Sequence, residues 1–260
     1  MTRWVAFAAL TLILLAFVLV SARSSEQLVS ELAAEATAHE PAVRDGASHL
    51  EAVGRYGTDT SIETGPRLSS VALLANVGAS HALFAVVLLL GIWLAGVPID
   101  TLGIGVGVTG WMAVGVGLAL GLSIASANTL LSRVLGDDPS ADLRELLAPD
   151  SPAGWVVLLG VVLPLIAGFE ELLFRAVLIG AFSAGFGLSP WLLAVASSVA
   201  FAAGHGAQGR LGIVATGVLG FVLAAAFVVT ESLLVVVVAH YVINAVEFGH
   251  EGVGDGAFSG

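Results

Sequence analysis

Long apolar runs, separated by shorter polar stretches, dominate the chain and predict helices that cross a membrane. A spanning helix needs roughly 20 mostly apolar residues, and several of the runs meet or approach that length. The predicted spans cover about 4–20, 78–97, 102–131, 154–181, 190–205, 211–229 and 231–248. We therefore predict an all-α fold, a polytopic transmembrane helical bundle of about seven spans.

The polar stretches divide the chain into five parts. Residues 1–22 are a first membrane helix or, because Val20-Ser21-Ala22 resembles a small-residue cleavage site, a signal peptide; we favour the uncleaved helix. The other parts are a polar acidic connecting segment, membrane helices with Gly-rich packing and a charged loop, a nearly continuous apolar core, and a flexible tail. They cover residues 23–70, 71–150, 151–248 and 249–260, respectively.

Two pairs of glycines in the third predicted span are spaced four residues apart, Gly103 with Gly107 and Gly117 with Gly121. This spacing puts small residues on one helical face, where they allow a second helix to approach closely in lipid. We expect both pairs to lie at a helix–helix contact.

Composition narrows the class of protein. The chain is 57% hydrophobic and 11% charged, with a mean hydropathy of +0.99, whereas soluble domains are about 25% charged. The absence of Cys excludes disulfides, thiolate metal ligands and a cysteine nucleophile. All 9 basic residues are Arg and stand against 20 acidic ones. This balance suggests a halophilic archaeon and argues against nucleic-acid or anionic-lipid partners.

The Arg residues also predict an orientation. Residues 23–70 and 132–153 together contain most of them, so the positive-inside rule places both segments in the cytoplasm and the N-terminus outside. We expect a multi-pass protein of the cell membrane.

Three charged residues, Glu170, Glu171 and Arg175, lie within the fourth predicted span. A charged residue at that depth costs on the order of 2.5–3.5 kcal/mol, so it is a functional candidate by default. Glu171 and Arg175 are four apart and can pair on one helical face. Glu170 is rotated by about 100° from Glu171, which leaves its carboxylate freer to face a cavity. The structural alternative is an ion pair that holds two helices together.

Polar residues also punctuate two later spans. The fifth contains Phe201-Ala-Ala-Gly-His205, and the seventh contains His240-Tyr-Val-Ile-Asn244. Either histidine alone is more often a hydrogen-bonded structural residue than a catalyst. Each polar group is nevertheless costly in lipid unless it finds a partner, and the nearest partners are the others. We therefore expect the two histidines, Asn244 and Glu170 to share one polar site inside the bundle.

The three motifs in this order, Glu-Glu-x-x-x-Arg, Phe-x-x-x-His and His-x-x-x-Asn, resemble those of the CPBP family. These are CAAX-processing and bacteriocin-processing (Abi) intramembrane endopeptidases, which include the Ras-converting CAAX protease. The resemblance covers roughly residues 150–248 and makes 151–248 the catalytic membrane core. It implies that Glu170 and His205 activate water, with Glu170 as the general base. It further implies that His240 and Asn244 stabilise the oxyanion and that Glu171 and Arg175 support the site.

Alternatives remain open at this point. Glu170, His205 and His240 are also a plausible set of ligands for a divalent metal such as zinc, although we prefer a glutamate mechanism without a cofactor. The resemblance implies a substrate that is a membrane-embedded or lipid-anchored protein or peptide, approached from the lipid bilayer. The same polar residues could instead serve a non-catalytic immunity or scaffold protein, or an ion transporter.

Overall fold

Seven long helices make up the bundle within the residues that the structure describes. The structure, a computed structural model, describes residues 2–38, 70–136 and 151–254, together with residues 141, 144 and 147–149. The helices are α1 (Trp4–Ala38), α2 (Ser70–Ala95), α3 (Gly110–Leu135), α4 (Pro152–Phe186), α5 (Pro190–Ala203), α6 (Gly209–Thr230) and α7 (Leu233–Gly254). No β-strand occurs in the part of the chain that the structure describes.

The lengths and compositions of these helices confirm the predicted fold class. Five of them, α1 to α4 and α6, contain segments long and apolar enough to cross a membrane. The shorter apolar helices are α5 and, within α7, the segment Leu233–Gly249. Together they give a membrane bundle of about seven helical spans, as the apolar runs predict.

Several helices extend further than the predicted spans, α1 and α7 among them. The helical backbone of α1 continues through the predicted border at residue 22 to Ala38, because residues 21–38 include neither Gly nor Pro. Similarly, α7 continues to Gly254 in the predicted tail. The remainder of the predicted connecting segment, residues 39–69, and the last six residues of the tail lie outside the described residues.

The first helix is packed into the bundle. Phe7 and Leu14 of α1 are buried in a hydrophobic cluster with residues of α2 and α4. Gly91 of α2 leaves room for Leu10, and Gly185 of α4 lies against the Trp4 ring. Cleavage after Ala22 would remove this whole contact surface, so the uncleaved helix stays our prediction.

The third predicted span begins later than expected, and one of its glycine pairs is not helical. Ile99–Leu102 forms a short 3₁₀ turn, which ends at Gly103 with a left-handed φ of 71°. The Gly103 carbonyl accepts a hydrogen bond from the Leu233 amide at 3.0 Å, which joins this loop to the start of α7. The prediction that Gly103 and Gly107 form a helix–helix contact is therefore wrong, and α3 starts only at Gly110.

The second glycine pair does form the predicted contact. Gly117 and Gly121 face α7, where an added Cβ atom would lie 2.7 Å from the Val235 carbonyl oxygen and 2.7 Å from the Ala239 carbonyl oxygen, respectively. Only glycine allows the backbones of α3 and α7 to approach so closely. Because Ala239 precedes His240, this contact also fixes the position of the second histidine motif.

Helix α4 is wider than an ideal α-helix in two places. Its residues Leu158–Val162 and Leu172–Ala181 are π-helical. The first segment precedes Pro164, whose ring has no N–H to donate and clashes with the carbonyl four residues earlier, so the helix opens there. The second segment begins directly after Glu171, and π-helical turns often occur at functional sites.

We predict that Gly121→Ala will lower the thermal stability of the protein, because the new methyl group would overlap the backbone of α7. Gly115→Ala is the matched control, since it lies on the same helix and its Cβ would meet nothing within 4 Å. Melting of both variants in detergent, followed by fluorescence, checks this. Equal melting temperatures for the two variants would contradict the close packing of α3 on α7.

Candidate active site

The most buried part of the site is a buried charge cluster formed by Glu171, Arg175 and His240. The Glu171 Oε1 atom lies 2.9 Å from Arg175 NH1 and 2.7 Å from His240 Nδ1. The exposed fractions of these side chains are 0%, 1% and 5%. One carboxylate oxygen therefore faces two basic groups from different helices, which joins α4 to α7.

Arg175 extends this cluster to the two remaining helices of the core. Its NH2 group donates a hydrogen bond to the Gly220 carbonyl of α6 at 3.1 Å. Its guanidinium lies over the Phe201 ring of α5, 4.6 Å from the ring centroid, the arrangement of a cation–π contact. Gly220 also permits the close approach of α6 to α5, because an added Cβ atom would lie 3.1 Å from the Phe201 ring.

Glu170, the neighbouring carboxylate, has a different environment. Its side chain is 15% exposed, whereas that of Glu171 is fully buried. Its Oε2 atom lies 3.6 Å from His240 Nε2, and its Oε1 atom lies 3.7 Å from His81 Nε2. These separations are too long for direct hydrogen bonds, and they leave the carboxylate oxygens available to a further partner.

His205, just after the end of α5, lies within electrostatic range of this carboxylate. Its ring packs on that of Phe201 at a centroid distance of 4.5 Å, and the residue is only partly buried. It is close enough to Glu170 for the two to interact electrostatically. Phe201 thus contacts both Arg175 and His205, which explains why the fifth span carries an aromatic residue four positions before its histidine.

Hydrogen bonds donated by Nδ1 orient three imidazole rings around the site. The acceptors are the Val77 carbonyl for His81 at 2.8 Å, the Phe201 carbonyl for His205 at 2.8 Å, and Glu171 Oε1 for His240 at 2.7 Å. Carbonyl oxygens only accept hydrogen bonds and carboxylates normally do so, so Nδ1 carries the proton in each ring. The Nε2 atoms are then the ones left for chemistry.

Asn244, the last residue of the second histidine motif, lies one helical turn beyond His240 on α7 and is partly buried. No hydrogen bond joins its side chain to another residue in the described part of the chain. Its position on the same helix as His240 agrees with the spacing, but Asn244 is not drawn into the buried charge cluster.

The predicted metal ligands are Glu170, His205 and His240. Zinc in a catalytic site is held by three protein ligands at about 2 Å. Within the described ranges, no group of three or more His, Cys, Asp or Glu side chains is arranged to hold a metal ion. Binding of a metal ion by these three residues stays a prediction, which chelation tests.

One residue of the site, His81 of α2, is absent from the sequence-based prediction. It lies outside the three motifs, and its ring packs edge-on against Phe169 at a centroid distance of 5.5 Å. The signal that could have identified it is the one that identified the others, an ionisable residue within an apolar span.

Comparison with known proteins agrees with the three motifs. Residues 152–246, from the start of α4 into α7, match the family model described as Rce1-like, Type II CAAX prenyl endopeptidase. The matched segment contains Glu170, Glu171, Arg175 and both histidine motifs but not His81. No curated protein and no solved structure is found to match the chain.

We predict that Arg175→Ala will greatly reduce the yield of folded protein, because it leaves the Glu171 carboxylate buried without its cation. Breaking a buried ion pair on one side costs about 3–5 kcal/mol. The variant Glu170→Gln should fold like the wild type, because the Glu170 side chain is partly exposed and outside the cluster.

Arg210→Ala serves as the matched control, since Arg210 is exposed at the start of α6. Size-exclusion chromatography of the three variants in detergent measures the folded fraction. A greater loss for Glu170→Gln than for Arg175→Ala would mean that the roles of the two glutamates are exchanged.

Proposed function

We propose that the protein hydrolyses peptide bonds of membrane-associated proteins with a water molecule activated by Glu170. The proposal starts from the match of residues 152–246 to the Rce1-like Type II CAAX prenyl endopeptidase family. The observation that carries this proposal is the contrast between two adjacent carboxylates. Glu171 is fully buried against Arg175 and His240, whereas Glu170 is partly exposed and makes no direct hydrogen bond to the imidazoles that flank it.

Glu170 is suited to act as the general base. A carboxylate with free oxygens can accept a proton from water as the water oxygen attacks the substrate carbonyl carbon. His205 lies within electrostatic range of Glu170 and is the second proposed partner of the same water, because Nε2, in the tautomer with hydrogen on Nδ1, is an acceptor. Collapse of the tetrahedral intermediate then breaks the C–N bond, and the proton held by Glu170 passes to the departing amine.

His240 and Asn244 are the proposed donors to the oxyanion. Preorganised donors are often the largest contribution to catalysis of acyl transfer. Because Nδ1 of His240 already donates to Glu171, donation from Nε2 requires the ring to carry both protons. The carboxylates of Glu170 and Glu171 lie 3.6 Å and 2.7 Å from its two ring nitrogens, where they can neutralise the doubly protonated ring.

The family also supports a substrate class. Rce1-like endopeptidases act on membrane-associated proteins, and a site within the apolar helices is reached most directly by a substrate that is itself in the bilayer. We propose that the protein acts in the cell membrane. Whether its substrate carries a prenyl group is decided by comparing lipidated and unlipidated peptides.

We predict that the reconstituted wild type cleaves a fluorogenic peptide that ends in a farnesylated Cys-aliphatic-aliphatic-X sequence, and that Glu170→Gln lowers kcat at least 100-fold. General-base catalysis contributes about 10²–10⁴-fold, and glutamine cannot accept the proton. The assay is run at high salt because of the acidic composition, with the unlipidated peptide in parallel.

Glu231→Gln is the matched control, since the same change is made at an exposed glutamate in the turn between α6 and α7. It should cleave like the wild type. Equal cleavage by the wild type and Glu170→Gln would refute the role of Glu170, and a folded wild type that cleaves neither peptide would favour a non-catalytic or transport function.

We also predict that a divalent-metal chelator, removed before the assay, leaves the rate of cleavage unchanged within twofold. The physical reason is that, among the described residues, Glu170, His205 and His240 do not form a group arranged to hold a metal ion. Metal analysis of the purified protein accompanies the assay. Loss of activity on chelation, with recovery on addition of zinc, would instead establish a metalloprotease.

A further inference from the structure

The geometry of α2 assigns a role to a residue outside the family segment. We propose that His81 is a positioning residue, which holds the Glu170 carboxylate in the orientation needed to activate water. This rests on the proposed function of Glu170 as the general base. It extends the active site from residues 152–246 to the second helix of the chain.

Two imidazoles face the two oxygens of the Glu170 carboxylate. His81 Nε2 faces Oε1 of Glu170 at 3.7 Å, and His240 Nε2 faces Oε2 at 3.6 Å. Catalytic contacts in proteins without substrate are often long and shorten only in the productive complex. Because an imidazole faces each oxygen, rotation of the Glu170 carboxylate about its last side-chain torsion is restricted from both sides.

The His81 ring is itself held in place by its neighbours. Its Nδ1 group donates to the Val77 carbonyl of the preceding turn at 2.8 Å, which points Nε2 towards Glu170. Donation from Nε2 to that carboxylate requires the ring to carry both protons, as it does for His240. The edge of the ring packs against Phe169, and Phe169 packs against Phe84 of α2. Two aromatic residues and a backbone carbonyl therefore orient Nε2 of His81, which faces the Glu170 carboxylate.

A histidine in an apolar span costs free energy relative to leucine, and contact between α2 and α4 could be made by an apolar residue of similar size. The contact with Phe169 would survive such a replacement, whereas the contact with Glu170 would not. A long side chain such as glutamate loses rotamer freedom when it is held in one geometry, so a fixed neighbour reduces what the substrate must order.

Kinetics of three α2 variants test this role with the farnesylated peptide. His81→Leu should lower kcat about tenfold or more and leave KM within twofold, because misplacement of a catalytic group by about 1 Å can cost up to 100-fold. His81→Gln, whose amide nitrogen can replace Nε2, should recover most of kcat. Ser80→Ala is the matched control, since the Ser80 hydroxyl donates to the Asn76 carbonyl of its own helix.

A double variant separates positioning from a general loss of structure. If His81 acts through Glu170, adding His81→Leu to Glu170→Gln should cause no further loss of kcat. Full activity of His81→Leu, no recovery by His81→Gln, or a further loss in the double variant would each overturn the proposal. Melting temperatures within a few degrees of the wild type ensure that the variants are compared as folded proteins.

A measurement independent of activity keeps the two proposals distinguishable. In protein labelled with ¹⁵N-histidine, the Nε2 resonance of His81 should shift in Glu170→Gln and stay in place in Glu231→Gln. An unmoved resonance in Glu170→Gln would overturn the positioning role even if the protein is a protease. A clear shift in a protein that cleaves neither peptide would leave the contact intact and refute the proposed function.

Discussion

The buried ion pair of Glu171 and Arg175 is the interaction on which the rest of the core depends. A charge deep in an apolar bundle is tolerated only when it is neutralised by a partner. Arg175 is neutralised by Glu171, donates to a carbonyl of α6 and lies over an aromatic ring of α5, while Glu171 also accepts from His240 of α7. Four helices thus meet at two side chains, and movement of any one of them would uncover a charge.

The same interaction explains how two adjacent glutamates come to have different environments. A rotation of about 100° per residue turns Glu171 towards the centre of the bundle and Glu170 towards its more open side. Exposure follows this division, since Glu170 and His81 are 15% and 22% exposed while the members of the buried charge cluster are at most 5% exposed. The cluster forms the base of the site, and Glu170, His81 and the partly buried His205 form its accessible side.

Much of this arrangement follows from local properties of the sequence. The cost of a charge in lipid and the four-residue spacing of a helix suffice to pair Glu171 with Arg175, and the length of apolar runs suffices for the membrane bundle. Contacts between distant helices are different. The hydrogen bond that His240 donates to Glu171 joins residues 69 positions apart. The turn at Gly103 likewise depends on its hydrogen bond to the start of α7. Neither the spacing nor the composition of one segment contains that information.

The position of α2 shows why the first hundred residues need no motif to take part in the site. An Rce1-like segment supplies Glu170 and the residues around it, but one oxygen of that carboxylate faces α2 and not the matched segment. A partner at that point requires only one polar residue on an otherwise apolar helix, held by its own backbone and by aromatic packing. A single histidine in an apolar span carries little pattern, yet its position places an imidazole against Glu170, the proposed general base. Weakly patterned helices around a recognisable core can therefore determine the efficiency of the site they enclose.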